Sequence, residues 1–264
     1  MGILNEIEKY TKLRIEQAKK RLGESEIKAK AMQLPKGTFI FEEVLKKPEL
    51  SFICECKKAS PSKGIIAEEF PYVKIAKEYE KAGADCISVL TEPKWFLGQD
   101  TYLKEIAENV NIPCLRKDFV VDEYMLYEAK LLGAQAVLLI CAILPEDMLR
   151  RYIEICDLLG ISALVEAHNE EEIQSALRAK AKIIGVNNRN LKDFTVDTKN
   201  SQKMRKLVPK DVLFVSESGI QTPKDIRILR EIGVDAVLVG ESLMRAEDKK
   251  AKLTELKTGG YSEN

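Results

Sequence analysis

Histidine is almost missing from this chain: His168 stands alone in 264 residues. One imidazole gives no basis for a histidine-built metal cluster or a histidine-centred catalytic dyad. Net charge is missing too, since 42 lysines and arginines balance 42 aspartates and glutamates. A balanced chain carries no electrostatic footprint for nucleic acid or an acidic membrane, although a local anion site stays compatible with it. Long apolar runs are absent: the longest, from Ala134 to Leu144, is too short to span a bilayer and contains Gln135. The opening residues, Met1 to Glu6, lack the basic-then-apolar pattern of a secretory signal. Six cysteines are present, but none has paired metal-ligand spacing, and Cys54-x-Cys56 is too tight for a zinc knuckle. Reduced, buried thiols in a cytoplasmic protein are therefore expected.

What remains is a chain with 45% hydrophobic and 32% charged residues, enough for a sizeable core under a well-solvated surface. A helix is expected from Ile3 to Leu22, stopped by Gly23, and a second short one from Phe39 to Lys47. From Ser51 the pattern turns regular. Strand-like runs fall at 51–56, 84–90, 112–115, 135–140, 161–165, 182–187, 211–216 and 235–239. Helical patterns fall between them at about 71–81, 100–109, 122–132, 145–159, 169–179, 198–207 and 222–231, with a last one near 246–257. Several helices end alike, in Gly83-Ala-Asp85, Gly133-Ala-Gln135 and Gly233-Val-Asp235, where glycine supplies a left-handed residue before the next strand. Eight strand–helix units predict a (βα)8 barrel: one domain over 1–264, with a helical extension to about 48 and the barrel over about 49–258. The alternative, an open doubly wound sheet, would carry a G-x-G-x-x-G turn after its first strand, and this chain has none.

In such a barrel, function gathers at the C-terminal ends of the strands, and polar residues continue the inward phase there. Side-chain alternation puts Ile53, Glu55 and Lys57 on one face and Cys54 and Cys56 on the other. A carboxylate and an amine leaving a buried strand read as a paired group at a site mouth, or else as an ion pair on an edge strand. Lys117 follows Pro113 and Leu115 in phase, beside Phe119. A lysine in an apolar rim loses charge more easily than one in water and can serve as an acid or base near neutral pH. Glu166, two residues past Leu164, would be an inward carboxylate across the ring from Glu55, with Asn187 as a neutral neighbour. His168 reads as a loop residue. Trp95, Phe96, Phe119 and Leu138 suit an apolar pocket, and Trp95 equally suits packing against the N-terminal helices. After strands seven and eight, Ser218-Gly219 and Gly240-Glu241-Ser242 allow backbone N–H groups to approach an anion, a recurrent phosphate position in this fold. Lys57 and Ser60 are next around the ring.

Taken in order, these motifs resemble indole-3-glycerol phosphate synthases. They are Glu55-x-Lys57-x-x-Ser60-Pro61-Ser62, Thr91-Glu92 with Phe96-x-Gly98, Leu115-x-Lys117-Asp118-Phe119, Glu166, Gly185-Val-Asn187-x-Arg189, Glu217-Ser218-Gly219-Ile220 and Val239-Gly240-Glu241-Ser242-Leu243-Met244. The resemblance covers nearly the whole chain, extension included. It implies a carboxy-lyase of tryptophan biosynthesis, converting 1-(2-carboxyphenylamino)-1-deoxyribulose 5-phosphate to indole-3-glycerol phosphate, carbon dioxide and water, with no metal or organic cofactor. It further implies Lys117 as general acid and Glu166 as stabiliser or proton relay assisted by Asn187. Lys57, partnered by Glu55, would bind the substrate carboxylate or act in the dehydration. Phe96, Phe119, Leu138, Arg189 and Glu217 would line the substrate site. Ser60, Lys57, Ser218, Gly219, Gly240 and Glu241 would hold the phosphate, Glu241 through its backbone. Asn190 departs from the pattern, since many relatives carry aspartate after the arginine. Rival readings are a phosphoribosylanthranilate isomerase, which lacks the extension, and a barrel that only binds a sugar phosphate. The expected partner is the small phosphorylated substrate, with no nucleic acid or membrane, and the expected assembly is a monomer or weak oligomer.

Overall fold

Gly83, Gly133 and Gly233 do adopt left-handed backbone (φ 89°, 85° and 72°), and the residue two positions later does something the pattern alone does not reveal. Asp85 accepts the Phe52 N–H at 2.9 Å, Gln135 the Cys114 N–H at 2.7 Å and Asp235 the Phe214 N–H at 2.7 Å. In each case the residue just before a strand ties down the start of the strand preceding it. The repeated helix ending is thus also a clamp that fixes register at the N-terminal rim.

The computed structural model describes residues 2–190 and 194–258; Met1 and the last residues of the expected domain lie outside the described residues. Eight parallel strands close into a barrel: β1 (Ser51–Cys56), β2 (Cys86–Leu90), β3 (Cys114–Lys117), β4 (Ala136–Ile140), β5 (Ser162–Ala167), β6 (Ile183–Asn187), β7 (Leu213–Glu217) and β8 (Ala236–Val239). The ring shuts where β1 pairs with β8, Ser51 opposite Ala236. The strands lie within two residues of the expected runs, shifted slightly toward their C-terminal ends. β3 shifts most usefully, because it takes Lys117 into the strand itself.

Three helices precede the barrel: α1 (Ile3–Arg21), α2 (Glu24–Gln33) and α3 (Ile40–Leu45). α2 has no counterpart in the sequence reading. Only Ile27 and Ala31 are buried on it, too narrow an apolar stripe to stand out between Gly23 and the prolines beyond. After β1, the Ser60-Pro61-Ser62 segment is not an open loop but the tip of a short antiparallel ribbon, Ala59–Ser60 against Gly64–Ile65. The outer helices are α4 (Tyr72–Lys81), α5 (Asp100–Asn109), α6 (Tyr124–Leu131), α7 (Glu146–Leu159), α8 (Glu170–Arg178), α9 (Lys199–Met204), α10 (Pro223–Glu231), α11 (Glu241–Met244) and α12 (Lys249–Thr258).

Strand alternation separates two cores. Outward residues such as Phe52, Cys54, Val89, Val137 and Phe214 pack under the helices. Inward residues such as Ile53, Leu115, Leu138, Leu164, Val215 and Leu238 fill the barrel, and Phe41 and Leu45 of α3 plug its N-terminal end. The C-terminal end is left for the site. All six cysteines are unpaired, and burial pushes their thiols up, to about 12 for Cys114 and Cys141. Among the described residues, no helix is long and apolar enough to cross a membrane.

Candidate active site

A cavity of about 1000 Å³ opens at the C-terminal ends of the strands. Its floor is charged, its middle apolar and its far end rich in hydroxyls, glycines and cations. Every residue to which the family resemblance gave a catalytic, substrate or phosphate role lines it.

The floor is built from strand ends whose inward phase turns polar at the last residues. Lys117 crosses the barrel from β3, its Nζ 3.7 Å from Glu166 Oε2 on β5 and 3.8 Å from Glu217 Oε2 on β7. Asn187 on β6 donates to Glu166 Oε2 at 3.2 Å. Just past β1, Lys57 Nζ lies 2.5 Å from Glu55 Oε1. Two glycines make room for these acids. A methyl at Gly185 would collide with the Glu217 carboxylate, and one at Gly240 with that of Glu55. Gly240 thus owes its identity in part to a neighbouring side chain, and not only to a close-approaching ligand.

The protonation pattern differs from the one expected. Burial alone would strip Lys117 of its proton, but the carboxylates of Glu166, Glu217 and Glu55 outweigh it and hold the ammonium well above the ordinary lysine range. Lys117 is therefore held as a cation by its neighbours and is not an amine poised near neutrality. Glu217 behaves oppositely. Burial and the neighbouring Glu166 charge push it up to about 8 despite the pull of Lys117, and its Oε1 has no hydrogen-bond partner. The sequence counted Glu217 among the substrate-lining residues; the structure puts its carboxylate on the floor beside Lys117, with its titration raised. Burial also penalises the Glu55 carboxylate, yet Lys57 and Lys117 together keep it below its usual range.

The apolar middle includes Phe96 and Phe119, with ring centroids 5.9 Å apart, together with Leu90, Leu138 and Ile140. Phe96 is placed by Glu92, a fully buried carboxylate that accepts the backbone N–H groups of Lys94, Trp95 and Phe96 at 2.7 to 3.0 Å. Trp95 resolves to the packing alternative: it meets Tyr10 of α1 edge-on at 5.6 Å and does not line the cavity. α1 contributes Ile3, Leu4 and Ile7 to the wall. It is latched there by Arg14, whose guanidinium grips both oxygens of buried Asp118 at 2.8 and 2.9 Å. Asp118 also accepts from Thr91 Oγ1 and from the Phe119 N–H, so the latch reaches the segment directly after Lys117.

At the far end stand Ser60, Ser218, Gly219, Gly240 and Glu241. Ser218 and Gly219 both adopt left-handed backbone (φ 67° and 83°), and Asn188 holds this turn by donating to Ser218 O at 3.1 Å. The Asn188 side chain is buried against Ser216 and Ser201 as well, a structural role that the strand-end pattern did not distinguish from a ligand contact. The Glu241 carboxylate gathers cations at this end: Lys63 and Arg245 lie 3.3 Å from it and Arg189 3.8 Å. Arg189 was among the expected substrate residues, whereas Lys63 and Arg245 were not singled out from sequence, because nothing in their spacing ties them to the strand ends.

Parallel strands closed around a polar cavity with an acid–base floor define a (βα)8-barrel enzyme. Among solved structures, 3-hexulose-6-phosphate synthase from Salmonella typhimurium superposes with a TM-score of 0.64 at 15% identity, covering 80% of this chain and 98% of that one. Thiamine phosphate pyrophosphorylase from Pyrococcus furiosus gives 0.61 at 17% identity, covering 83% and 96%. Likeness at that identity speaks to fold alone. Sequence goes further. Residues 4–256 match the family model for indole-3-glycerol phosphate synthase. Curated proteins of that name share 57% identity in Ruminiclostridium cellulolyticum, over 97% of this chain and 98% of the relative, and 54% in Endomicrobium trichonymphae, over 97% and 99%. The chain belongs to the indole-3-glycerol phosphate synthase family.

Proposed function

We infer that this cavity performs the reaction its family is named for: the carboxy-lyase step of tryptophan biosynthesis that forms indole-3-glycerol phosphate from 1-(2-carboxyphenylamino)-1-deoxyribulose 5-phosphate. One observation carries the residue-level reading: a charged lysine, Lys117, held between two carboxylates on the floor of a cavity whose opposite end suits a phosphate.

Ring closure forms a bond between the aromatic carbon bearing the carboxylate and the ribulose carbonyl carbon. The carbonyl must be made electrophilic, and its oxygen must gain a proton as the bond forms. Lys117, kept charged by its neighbours, is the donor in this reading, and bringing a substrate between it and the carboxylates weakens the attractions that hold its proton. Loss of carbon dioxide then returns the bonding electrons to the ring and restores aromaticity. Dehydration follows: the new hydroxyl leaves as water with a proton from an acid, and a base takes the proton from the adjacent carbon. Lys57–Glu55 and Glu166–Asn187 face each other across the ring for these transfers. Glu217, at about 8, is itself matched to proton exchange near neutral pH.

Phe96, Phe119 and Leu138 supply an apolar slot for the aromatic ring. The phosphate would lie among Ser60, Ser218, Gly219, Gly240 and Glu241, with Lys57, Lys63, Arg189 and Arg245 offsetting its charge. The direct test mixes the purified protein with the carboxyphenylamino-deoxyribulose phosphate and follows indole fluorescence. A rise that Lys117→Ala abolishes, with binding of the product retained, supports the assignment. Absence of signal while the substrate still binds would favour a sugar-phosphate-binding barrel without this chemistry.

A further inference from the structure

One titratable group against the charged floor has no part in the roles above. His168 follows β5 directly, two residues past Glu166, and is the chain's sole histidine. Its Nδ1 lies 3.1 Å from Glu172 Oε2, and its backbone N–H donates to the same oxygen at 2.8 Å. Glu172 is fixed from its other side by Asn169, whose Nδ2 donates to Oε1 at 2.8 Å within the turn that caps α8. The remaining ring nitrogen, Nε2, is buried, makes no hydrogen bond among the described residues and lies 3.4 Å from Glu166 Oε1 on the floor. The two oxygens of Glu166 are thereby divided, Oε1 toward His168 and Oε2 toward Asn187 and Lys117.

This geometry dictates a proton. With Nδ1–H donating to the Glu172 carboxylate, a neutral ring would turn the Nε2 lone pair on the Glu166 carboxylate, two acceptors face to face in a buried place. A proton on Nε2 removes the conflict and turns it into a charge-assisted contact. We propose that His168 is a positioning residue for Glu166: an imidazolium oriented by Glu172 that fixes the Glu166 carboxylate for proton transfer to the substrate.

The charges around the ring agree. Burial disfavours the imidazolium, but the Glu172 hydrogen bond and the charges of Glu166, Glu172 and Glu217 outweigh it and raise His168 above its ordinary value. These acids reach it from β5, α8 and β7. From α9, Asn200 Nδ2 donates to its carbonyl oxygen at 3.3 Å. As pH rises through the His168 titration, the cation that holds Glu166 is lost. The alkaline limb of kcat should therefore report this residue.

The inference rests on Glu166 acting in the reaction, so the test has an arm that does not need turnover. Because no other histidine exists, the imidazole C2–H signal of the intact protein can be titrated by NMR without ambiguity. The expected midpoint lies above the ordinary value of about 6.5 and falls in Glu166→Gln and in Glu172→Gln. A midpoint at or below that value, or one unmoved by Glu166→Gln, overturns the proposal whether or not the enzyme turns over. In steady-state kinetics, His168→Phe should lower kcat about 10- to 100-fold, the scale of a misplaced catalytic group, with KM within about twofold. His168→Gln, which can offer an amide N–H toward Glu166, should recover part of the loss and flatten the alkaline limb. His168→Phe with kcat and pH profile within about twofold of the parent would refute the role even where the indole-forming reaction proceeds normally.

Discussion

Lys117→Ala takes away the ammonium 3.7 Å from Glu166 and 3.8 Å from Glu217. At an effective dielectric of about 20, each such attraction is on the order of 4 kcal/mol. The one to Glu217 acts in full only above its titration at about 8. Without the lysine the floor therefore keeps a proton to higher pH. Glu217, already pushed up to about 8, is the group that accepts it and moves further up. The sign follows from linkage. A carboxyl whose folded value exceeds its unfolded 4.5 stabilises the fold at low pH and loses that contribution as pH rises toward the folded value. Each pH unit in that window removes up to about 1.4 kcal/mol, or roughly 3–6 °C of Tm for a domain of this size. The alanine variant should thus lose Tm over a wider alkaline range than the parent. Its turnover, followed by indole fluorescence, should drop by about 10²–10⁴-fold, the usual contribution of a general acid. Lys117→Arg separates the two effects: it keeps a cation but no readily donated proton, so Tm should track the parent while turnover stays low. Turnover of the alanine variant within about tenfold of the parent would refute the acid assignment, and parent-like pH dependence of Tm would refute the electrostatic account.

Glu217→Gln should gain stability relative to the parent as pH rises from about 4.5 toward 8, because it has no proton to lose; paired thermal melts across that range, with a constant difference between the two proteins, would count against the raised value. Arg116 is 1% exposed and donates to Met125 O at 3.0 Å and to Asp100 and Glu128 at 2.7 Å. Arg116→Met strands those acceptors, so denaturant unfolding should show a loss of about 3–5 kcal/mol; a loss under about 1 kcal/mol would mean that water replaces the guanidinium. Arg14→Ala frees α1 from Asp118, and KM should rise several-fold with less change in kcat, as should removal of the first ~40 residues. An unchanged KM in both would show that the α1 wall does not contact substrate.

The architecture was legible because two periodicities alternate so regularly along the chain, and because glycine closes helix after helix. Lys117 was legible by phase alone, two residues past Leu115 on the inward face. Its ionisation was not, since the acids that hold its proton come from β5 and β7, strands that are remote in sequence and converge only when the barrel closes. Arg116, next door in sequence, faces the helices and serves structure, a distinction that alternation makes but residue type does not. The α2 helix escaped notice for a different reason: two buried apolar positions, Ile27 and Ala31, cannot outweigh the surrounding lysine and glutamate. Glu92 and Asn188 were visible as polar strand-end residues, but their backbone partners lie in loops whose course no local pattern foretells.

The hollows at Gly185 and Gly240 bear on how this floor could be altered. Each acid stands over an absent side chain on the adjoining strand, Glu217 over Gly185 and Glu55 over Gly240, so the unit of change is a pair spread over two neighbouring staves of the barrel. Shortening Glu217 to aspartate alone leaves a void, and adding a methyl at residue 185 alone makes a clash. Made together, the two changes compensate each other, and their combined cost should fall well below the sum of the singles. A library that varies the acids one at a time would miss such combinations, whereas one that varies each acid with its facing glycine samples them directly.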